Sequence, residues 1–274
     1  MCSYGVVGSK THAKATLIVR QSPNGESRRY VHIETGNYHS VTARQYCDIG
    51  LMIADTTIGE DATELFNLLT SGPLSGRCYH EMLVSPQGVK TCAAAEDRVA
   101  RAIRRRTHGN GLIQLKTNAL EDADITRALY EATHAGVSVD LIVRDTCRAT
   151  AGPAGLVRKC AVVISILGLL PGARETLFFH NNGSDEYLMG WADLMNRNLE
   201  SRVEVLAPHP RIARAFRTNF GRIARTCNSM ARSAAWRWTP NGAYRRETPA
   251  AGAEHSQTRM LQDALLRSQD GYQA

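Results

Sequence analysis

Residues 112–145 read LIQLKTNALEDADITRALYEATHAGVSVDLIVRD. Leu112–Lys116 and Val137–Arg144 are short apolar runs typical of strands, and Asp122–Ala135 between them carries apolar residues at helical spacing. The pattern therefore predicts a strand, a helix and a second strand. Such an alternation is typical of an α/β layer with mostly parallel strands, at whose carboxyl ends ligands usually bind.

The neighbouring segments extend this alternation. Tyr79–Val84 is predicted to be a strand and Ala93–His108 a basic helix, which completes the order βαβαβ. Three further strands and a long helix are predicted after it, at Val157–Leu167, Leu177–His180, Arg202–Leu206 and Arg211–Ala235.

The amino-terminal part has a different organisation. Ala15–Arg20 and Arg28–Glu34 flank the turn Ser22-Pro23-Asn24-Gly25, which predicts a β-hairpin with His12 just before it. A third strand is predicted over Tyr46–Ala54. The region is thin, because these strands and one short helix can hardly enclose a core.

That short helix covers Asp61–Leu69 and is followed by the breaker Ser71-Gly72-Pro73. We therefore expect one domain over residues 1–75, a second over 76–247, and a linker with a short peripheral helix over 248–274. The predicted fold class is α/β, with two domains, the first truncated, and mixed, mostly parallel sheets.

Composition narrows the class of protein. The chain has 274 residues and a formal net charge of +7, which favours anionic partners such as nucleotides, polyphosphate or nucleic acid. It contains no apolar run long enough for a membrane span and no signal peptide, so a cytoplasmic location is expected. Its seven cysteines lack the paired spacing of a zinc site or a disulfide framework.

The stretch Lys10-Thr11-His12-Ala13-Lys14 is the first candidate for chemistry. On a strand, the side chains of Lys10, His12 and Lys14 would share one face. A neutral imidazole can attack phosphorus, and neighbouring ammonium groups offset the charge of the entering phosphate. The same residues would equally form the solvated face of an edge strand, and the spacing alone leaves both interpretations open.

A second candidate follows the hairpin. The turn Thr35-Gly36-Asn37 would present backbone N–H groups and the Asn37 amide to an anion, and Arg44 is suited to bind phosphate through both arms of its guanidinium. The alternative is an ordinary Gly-Asn turn among structural aromatic residues.

Taken in order, these stretches resemble a known family. KTHAKATLIVR and RRYVHIETGNYHSVTARQYCDIGLMIAD resemble the first C-terminal domain of the type 1 polyphosphate kinases. LKTNALEDADITRALYEATHAGVSVDLIVRDTC, WADLMNRNLESRVEVLAP and RWTPNGAYRRE resemble the second. The resemblance covers residues from about 4 to about 246.

The resemblance implies a fold and a reaction. The family transfers the terminal phosphate of ATP reversibly to polyphosphate through a phosphohistidine, uses Mg²⁺, and has two phospholipase D-like C-terminal domains. His12 matches the phosphorylated histidine, and His32 matches a supporting histidine. Tyr46 and Arg144 match residues that hold the nucleotide, with Tyr46 against the base and Arg144 on the phosphates.

The chain departs from the family at several positions. Ala173 stands where the family has a second catalytic histidine, the proton donor, or Gly172 does if the gap in the match is moved by one residue. Glu175 replaces an arginine. Glu34 stands where glycine is usual. The amino-terminal and head domains are expected to be absent, together with the arginines near magnesium, so no metal ligand is assigned. Family oligomers assemble largely through those portions, so the resemblance does not carry an oligomeric state to this chain.

Two functions follow as hypotheses. The first is a truncated or decayed polyphosphate kinase that retains His12, acts on ATP or ADP and polyphosphate, and is slowed by the loss at Ala173. The second is a non-catalytic protein that binds polyphosphate or nucleic acid through Arg104–Arg106 and the basic helix over 211–235. A phospholipase D-like nuclease or lipase would need a second His-x-Lys motif, which the sequence lacks.

Overall fold

The computed structural model describes residues 5–46, 48–72, 79–85, 111–149, 160–164, 175–180, 185–208, 236–239, 241, 243–246, 262 and 265–266. The helices predicted over 93–108 and 211–235 lie outside the described residues, as do Arg104–Arg106 and Ala173. Of the predicted linker and peripheral helix over 248–274, only residues 262, 265 and 266 are described, all three in helical conformation.

The described elements are strands and a few helices. The strands are β1 Lys10–Thr11, β2 Ala15–Gln21, β3 Ser27–Glu34, β4 Gly50–Ile53, β5 Leu83–Ser85, β6 Leu112–Thr117, β7 Ser138–Val143, β8 Cys160–Ile164, β9 Glu175–His180, β10 Glu186–Gly190, β11 Arg202–Pro208, β12 Trp236–Trp238 and β13 Tyr244–Arg246. The helices are α1 Thr56–Ser71, α2 Ala123–His134 and α3 Asn196–Ser201, with a 3-10 turn at Thr42–Arg44.

The predicted strand–helix–strand unit forms β6, α2 and β7. Asp122 caps α2 by accepting hydrogen bonds from the N–H groups of Asp124 and Ile125 at 3.0 and 2.8 Å. Gly136, with φ of 86°, turns the chain after α2 in a conformation that favours glycine. β7 then lies parallel to β6, so this part of the prediction is confirmed.

The large sheet has the order β1-β11-β10-β9-β6-β7-β8-β12-β13, and β5 also pairs with β11. The predicted mixed α/β fold is confirmed, but the parallel share is smaller than expected. Among the described strands, parallel pairing joins β1 to β11, β6 to β7 and β7 to β8, and the other named pairs are antiparallel. The cause is the run from β9 to β11, in which each strand pairs antiparallel with the next along the chain.

The small sheet has the order β2-β3-β4 and contains the predicted hairpin. β4 pairs with β3 only over Gly50–Ile53, so the strand predicted over Tyr46–Ala54 is shorter than expected. Before Gly50 the chain forms the 3-10 turn at Thr42–Arg44. Its strand pairing with β3 begins only at Gly50.

The thin amino-terminal part shares its core with the large sheet. Apolar side chains of β3, β4 and α1 pack with Met82 and Val84 and with Val203, Val205 and Ala207 of β11. One buried carboxylate ties α1 to β5: Asp61 accepts hydrogen bonds from the N–H groups of His80, Glu81 and Met82, each at 2.8 Å. The two parts of the chain are therefore joined along β11 and β5.

Candidate active site around His12

The backbone places His12 where the chain passes from the large sheet to the small one. β1 pairs with β11 through Thr11 and Val203, and the N–H groups of His12 and Ala13 both donate to the Val203 carbonyl, at 3.0 and 2.9 Å. β2 begins two residues later, at Ala15. His12 is therefore fixed beside Glu204, the next residue along β11.

Glu204 holds the imidazole of His12. The Nδ1 atom of His12 lies 2.9 Å from Oε2 and 3.0 Å from Oε1 of Glu204, whose side chain is fully buried. An ionised carboxylate only accepts hydrogen bonds, so in the neutral imidazole Nδ1 carries the proton and the lone pair of Nε2 is left for a nucleophile. The Nδ2 group of Asn198 donates to Glu204 Oε1 at 2.8 Å and fixes the carboxylate in turn.

The charge of Glu204 is set by opposing effects. Burial raises the pKa of its carboxyl above the ordinary value, while its contact with His12 and the nearby Lys14 ammonium act in the opposite direction. These two neighbours favour the ionised form that orients His12.

Lys14 lies beside this pair and is buried, with an exposed fraction of 7%. Its Nζ atom sits 3.9 Å from the centre of the Trp191 ring and has no hydrogen-bond partner among the described residues. Burial lowers its pKa from 10.5 to about 8, against the attraction of Glu204, Glu175 and Asp193. Lys10, in contrast, is exposed. Of the two lysines, only Lys10 therefore agrees with the interpretation that this stretch forms the solvated face of an edge strand.

A second buried acid lies near Lys14. Glu175 is fully buried, and its Oε1 accepts a hydrogen bond from Asn118 Nδ2 at 2.7 Å. Burial, and then the charge of Asp193, raise its pKa well above the ordinary value of 4.5. If both carboxyls were ionised, Glu175 Oε2 and Asp193 Oδ1 would lack a donor, and a proton on Glu175 supplies one. Glu175 therefore brings less negative charge to this position than its replacement of the family's arginine would suggest.

Glu175→Gln is expected to flatten the pH dependence of stability. The folded protein holds the Glu175 proton above the pH at which the unfolded chain releases it, so this group stabilises the fold below pH about 4.5 and loses that contribution as pH rises. Each unit of pKa elevation corresponds to about 1.4 kcal/mol. Urea unfolding between pH 5 and 8 should show wild type losing stability relative to Glu175→Gln. Parallel curves for the two proteins would contradict the protonated assignment.

The nucleotide residues predicted from the sequence are only partly brought to His12. The Tyr46 ring lies 6.5 Å from Trp191, which itself lies 5.2 Å from the His12 ring. Arg44 is exposed in the 3-10 turn, and Arg144 is half-buried just after β7. Among the described residues, no hydrogen bond or ring contact joins either arginine to His12.

His32 and the turn that follows it form a separate group. The Nδ1 atom of His32 lies 2.7 Å from the Tyr38 hydroxyl and not beside His12. In the predicted phosphate turn, the Thr35 N–H donates to the Ile49 carbonyl, and the Thr35 hydroxyl accepts from the Ile49 N–H. Thr35 is thus engaged within the fold, and Asn37 of this turn is half-buried.

The residues that support His12 are not among those predicted from the sequence. Glu204 lies inside the predicted strand Arg202–Leu206, where a glutamate between valines, Val203-Glu204-Val205, is a signal for a buried partnered acid. Trp191 and Asn198 carried no local signal of this kind. Their role depends on the pairing of β11 with β1, which joins residues far apart in sequence.

Two features are absent from the described residues, a metal-binding cluster and a membrane-spanning helix. No group of three or more histidine, cysteine, aspartate or glutamate side chains is arranged to hold a metal ion there. No helix in the described part of the chain is long and apolar enough to cross a membrane.

Family models match both parts of the chain. The model of polyphosphate kinase C-terminal domain 1 matches residues 1–73, and that of C-terminal domain 2 matches residues 82–257. The polyphosphate kinase of Synechocystis sp. is 40% identical over 93% of this chain and 34% of its own length. That of Thermosynechococcus vestitus is 39% identical over 98% and 36%.

A solved structure agrees with these matches. The crystal structure of polyphosphate kinase from Porphyromonas gingivalis superposes with a TM-score of 0.83 at 28% identity, covering 96% of this chain and 40% of that one. The chain thus spans about a third of the length of the curated relatives it matches. Through both of its halves, the chain belongs to the polyphosphate kinase family and corresponds to that family's two C-terminal domains.

Proposed function

We propose that this chain carries the phosphohistidine chemistry of the polyphosphate kinases, with His12 as the nucleophile. The substrates in this proposal are ATP or ADP and polyphosphate, and the location is the cytoplasm. The observation that carries it is the pairing of His12 Nδ1 with the buried Glu204 carboxylate at 2.9 Å, which leaves Nε2 for attack.

The transfer would occur in two steps. Nε2 of His12 attacks the terminal phosphorus of ATP, a nitrogen–phosphorus bond forms, and the bond from that phosphorus to the bridging oxygen breaks as ADP leaves. A terminal oxygen of polyphosphate then attacks the same phosphorus and releases His12. Glu204 stabilises the positive charge that develops on the imidazole, and Lys14 offsets the charge of the phosphate.

The nucleotide would be held from the side of Trp191. The Tyr46 ring lies on that side and is suited to stack on a base. Asn37, Arg44 and Arg144 would complete the phosphate contacts on substrate binding, and His32 would support them through its contact with Tyr38. The family also implies Mg²⁺, for which no residue of this chain is assigned, and no step here is routed through it.

The loss of the proton donor is expected to lower the rate of phosphate transfer, and Ala173→His is expected to raise that rate. Alanine cannot transfer a proton, whereas a positioned general acid contributes about 10²–10⁴ in rate. We expect Ala173→His to increase the rate of ATP-dependent polyphosphate synthesis on the order of 10²-fold. A rate equal to that of wild type, measured with labelled ATP at saturating substrate, would contradict this account of the impairment.

Labelling tests the proposal directly. Incubation of the full chain with γ-labelled ATP is expected to place acid-labile, base-stable label on His12, identified by peptide mass spectrometry. His12→Ala should carry none, while His180→Ala, which removes a histidine hydrogen-bonded to Asp185 rather than to Glu204, should label normally. Unlabelled wild type that still binds polyphosphate in a steeply salt-dependent manner would favour the alternative, a non-catalytic protein for polyphosphate or nucleic acid.

A further inference from the structure

Trp191 lies against three side chains of the proposed site, Lys14, His12 and Tyr46. Its ring centre lies 3.9 Å from Lys14 Nζ, and its ring packs nearly perpendicular to the His12 ring at 5.2 Å. The Tyr46 ring contacts it from another direction at 6.5 Å. Trp191 follows directly after β10 and is half-buried.

The contact with Lys14 matters because that ammonium makes no hydrogen bond with the described residues. Nζ is buried without a hydrogen-bond partner among the described residues, which disfavours its charged form. The ionisable groups around it are Glu204 and Arg202 on β11, Glu175 on β9 and Asp193 after β10. A protonated Glu175 attracts the ammonium only weakly. An indole face attracts a cation at this distance, so the ring adds to the attraction of Glu204 and Asp193.

We propose that Trp191 is a positioning residue of this site, whose ring holds the Lys14 ammonium and the His12 imidazole towards one bound phosphate. The inference rests on the proposed function for the identity of that phosphate. The effect of Trp191 on Lys14 does not depend on that identity. Without the aromatic face, Lys14 would lose its proton at a lower pH and bind anions less well at neutral to alkaline pH.

The test compares Trp191→Leu with Trp191→Phe, which keeps an aromatic face. The pKa of Lys14 is measured by NMR on protein with ¹³C-labelled lysine, assigned with Lys14→Arg. We expect Trp191→Leu to lower this pKa by about 0.5–1.5 units and Trp191→Phe to lower it by less than half as much. If Trp191→Leu does not fold, as judged by circular dichroism, Trp191→Met takes its place.

Binding of inorganic triphosphate at pH 8 gives the second readout. With a Lys14 pKa about one unit lower, we expect Trp191→Leu to bind about five-fold more weakly than wild type and to recover at pH 6. An unchanged Lys14 pKa, or equal shifts in the leucine and phenylalanine variants, overturns the role of Trp191 while leaving His12 chemistry intact. Failure of wild type to bind triphosphate at either pH overturns the phosphate site itself, and with it both proposals.

Discussion

Glu204→Gln is expected to lower the rate of His12 phosphorylation by about 10⁴-fold, as the loss of the equivalent carboxylate does in serine protease triads. Glutamine has nearly the same shape and can still accept from Asn198. It can, however, donate its amide N–H to His12 Nδ1, which places the imidazole proton on Nε2 and removes the attacking lone pair. The rate is measured by single-turnover labelling with γ-labelled ATP.

The matched control is Glu200→Gln, which makes the same substitution at an exposed position of α3. We expect it to label at the wild-type rate. If Glu204→Gln also labels at that rate while folding normally, the orientation of His12 by Glu204 is not what makes it a nucleophile.

Asp61→Ala is expected to lower the free energy of unfolding by about 3–5 kcal/mol, because three buried or partly buried N–H groups lose a charged acceptor at once. This is a large share of the roughly 5–15 kcal/mol of a typical domain. The bonds to His80, Glu81 and Met82 also anchor β5, whose partner is β11. The change should therefore loosen the strand that carries Glu204. Urea unfolding measures the loss.

Asp124→Ala provides the control for that experiment. Asp124 is an exposed aspartate whose ion pair with Arg127 lies on the surface of α2. We expect it to change stability by no more than about 0.5 kcal/mol. An equally small effect of Asp61→Ala would show that the α1 to β5 connection contributes little to the fold.

The local part of the fold was predictable because short-range patterns specify it. The segment 112–145 carries its own periodicity, and Pro23-Asn24-Gly25 in the turn marks the hairpin between β2 and β3. Glu186–Gly190 is not predicted, because it is short and its first residues are polar. The edge strand considered for Lys10–Lys14 is reduced to Lys10–Thr11, which pairs with β11.

The candidate site was less predictable, since it depends on contacts between distant parts of the chain. His12 and Lys14 follow from a local motif together with the family resemblance. Glu204 lies 192 residues from His12 in sequence, and only the parallel pairing of β1 with β11 brings the two together. Trp191 and Glu175 reach Lys14 through β9 and β10 in the same way.

The most direct test of the account is to determine which imidazole nitrogen carries the phosphate. After incubation of ¹⁵N-histidine-labelled protein with ATP, ³¹P–¹⁵N correlation NMR distinguishes Nε2-phosphohistidine from Nδ1-phosphohistidine. With Nδ1 held by Glu204 at 2.9 Å, we predict phosphate on Nε2 of His12 alone. Phosphate on Nδ1, or on another histidine while His12 stays unmodified, would contradict the assignment of His12 as the oriented nucleophile.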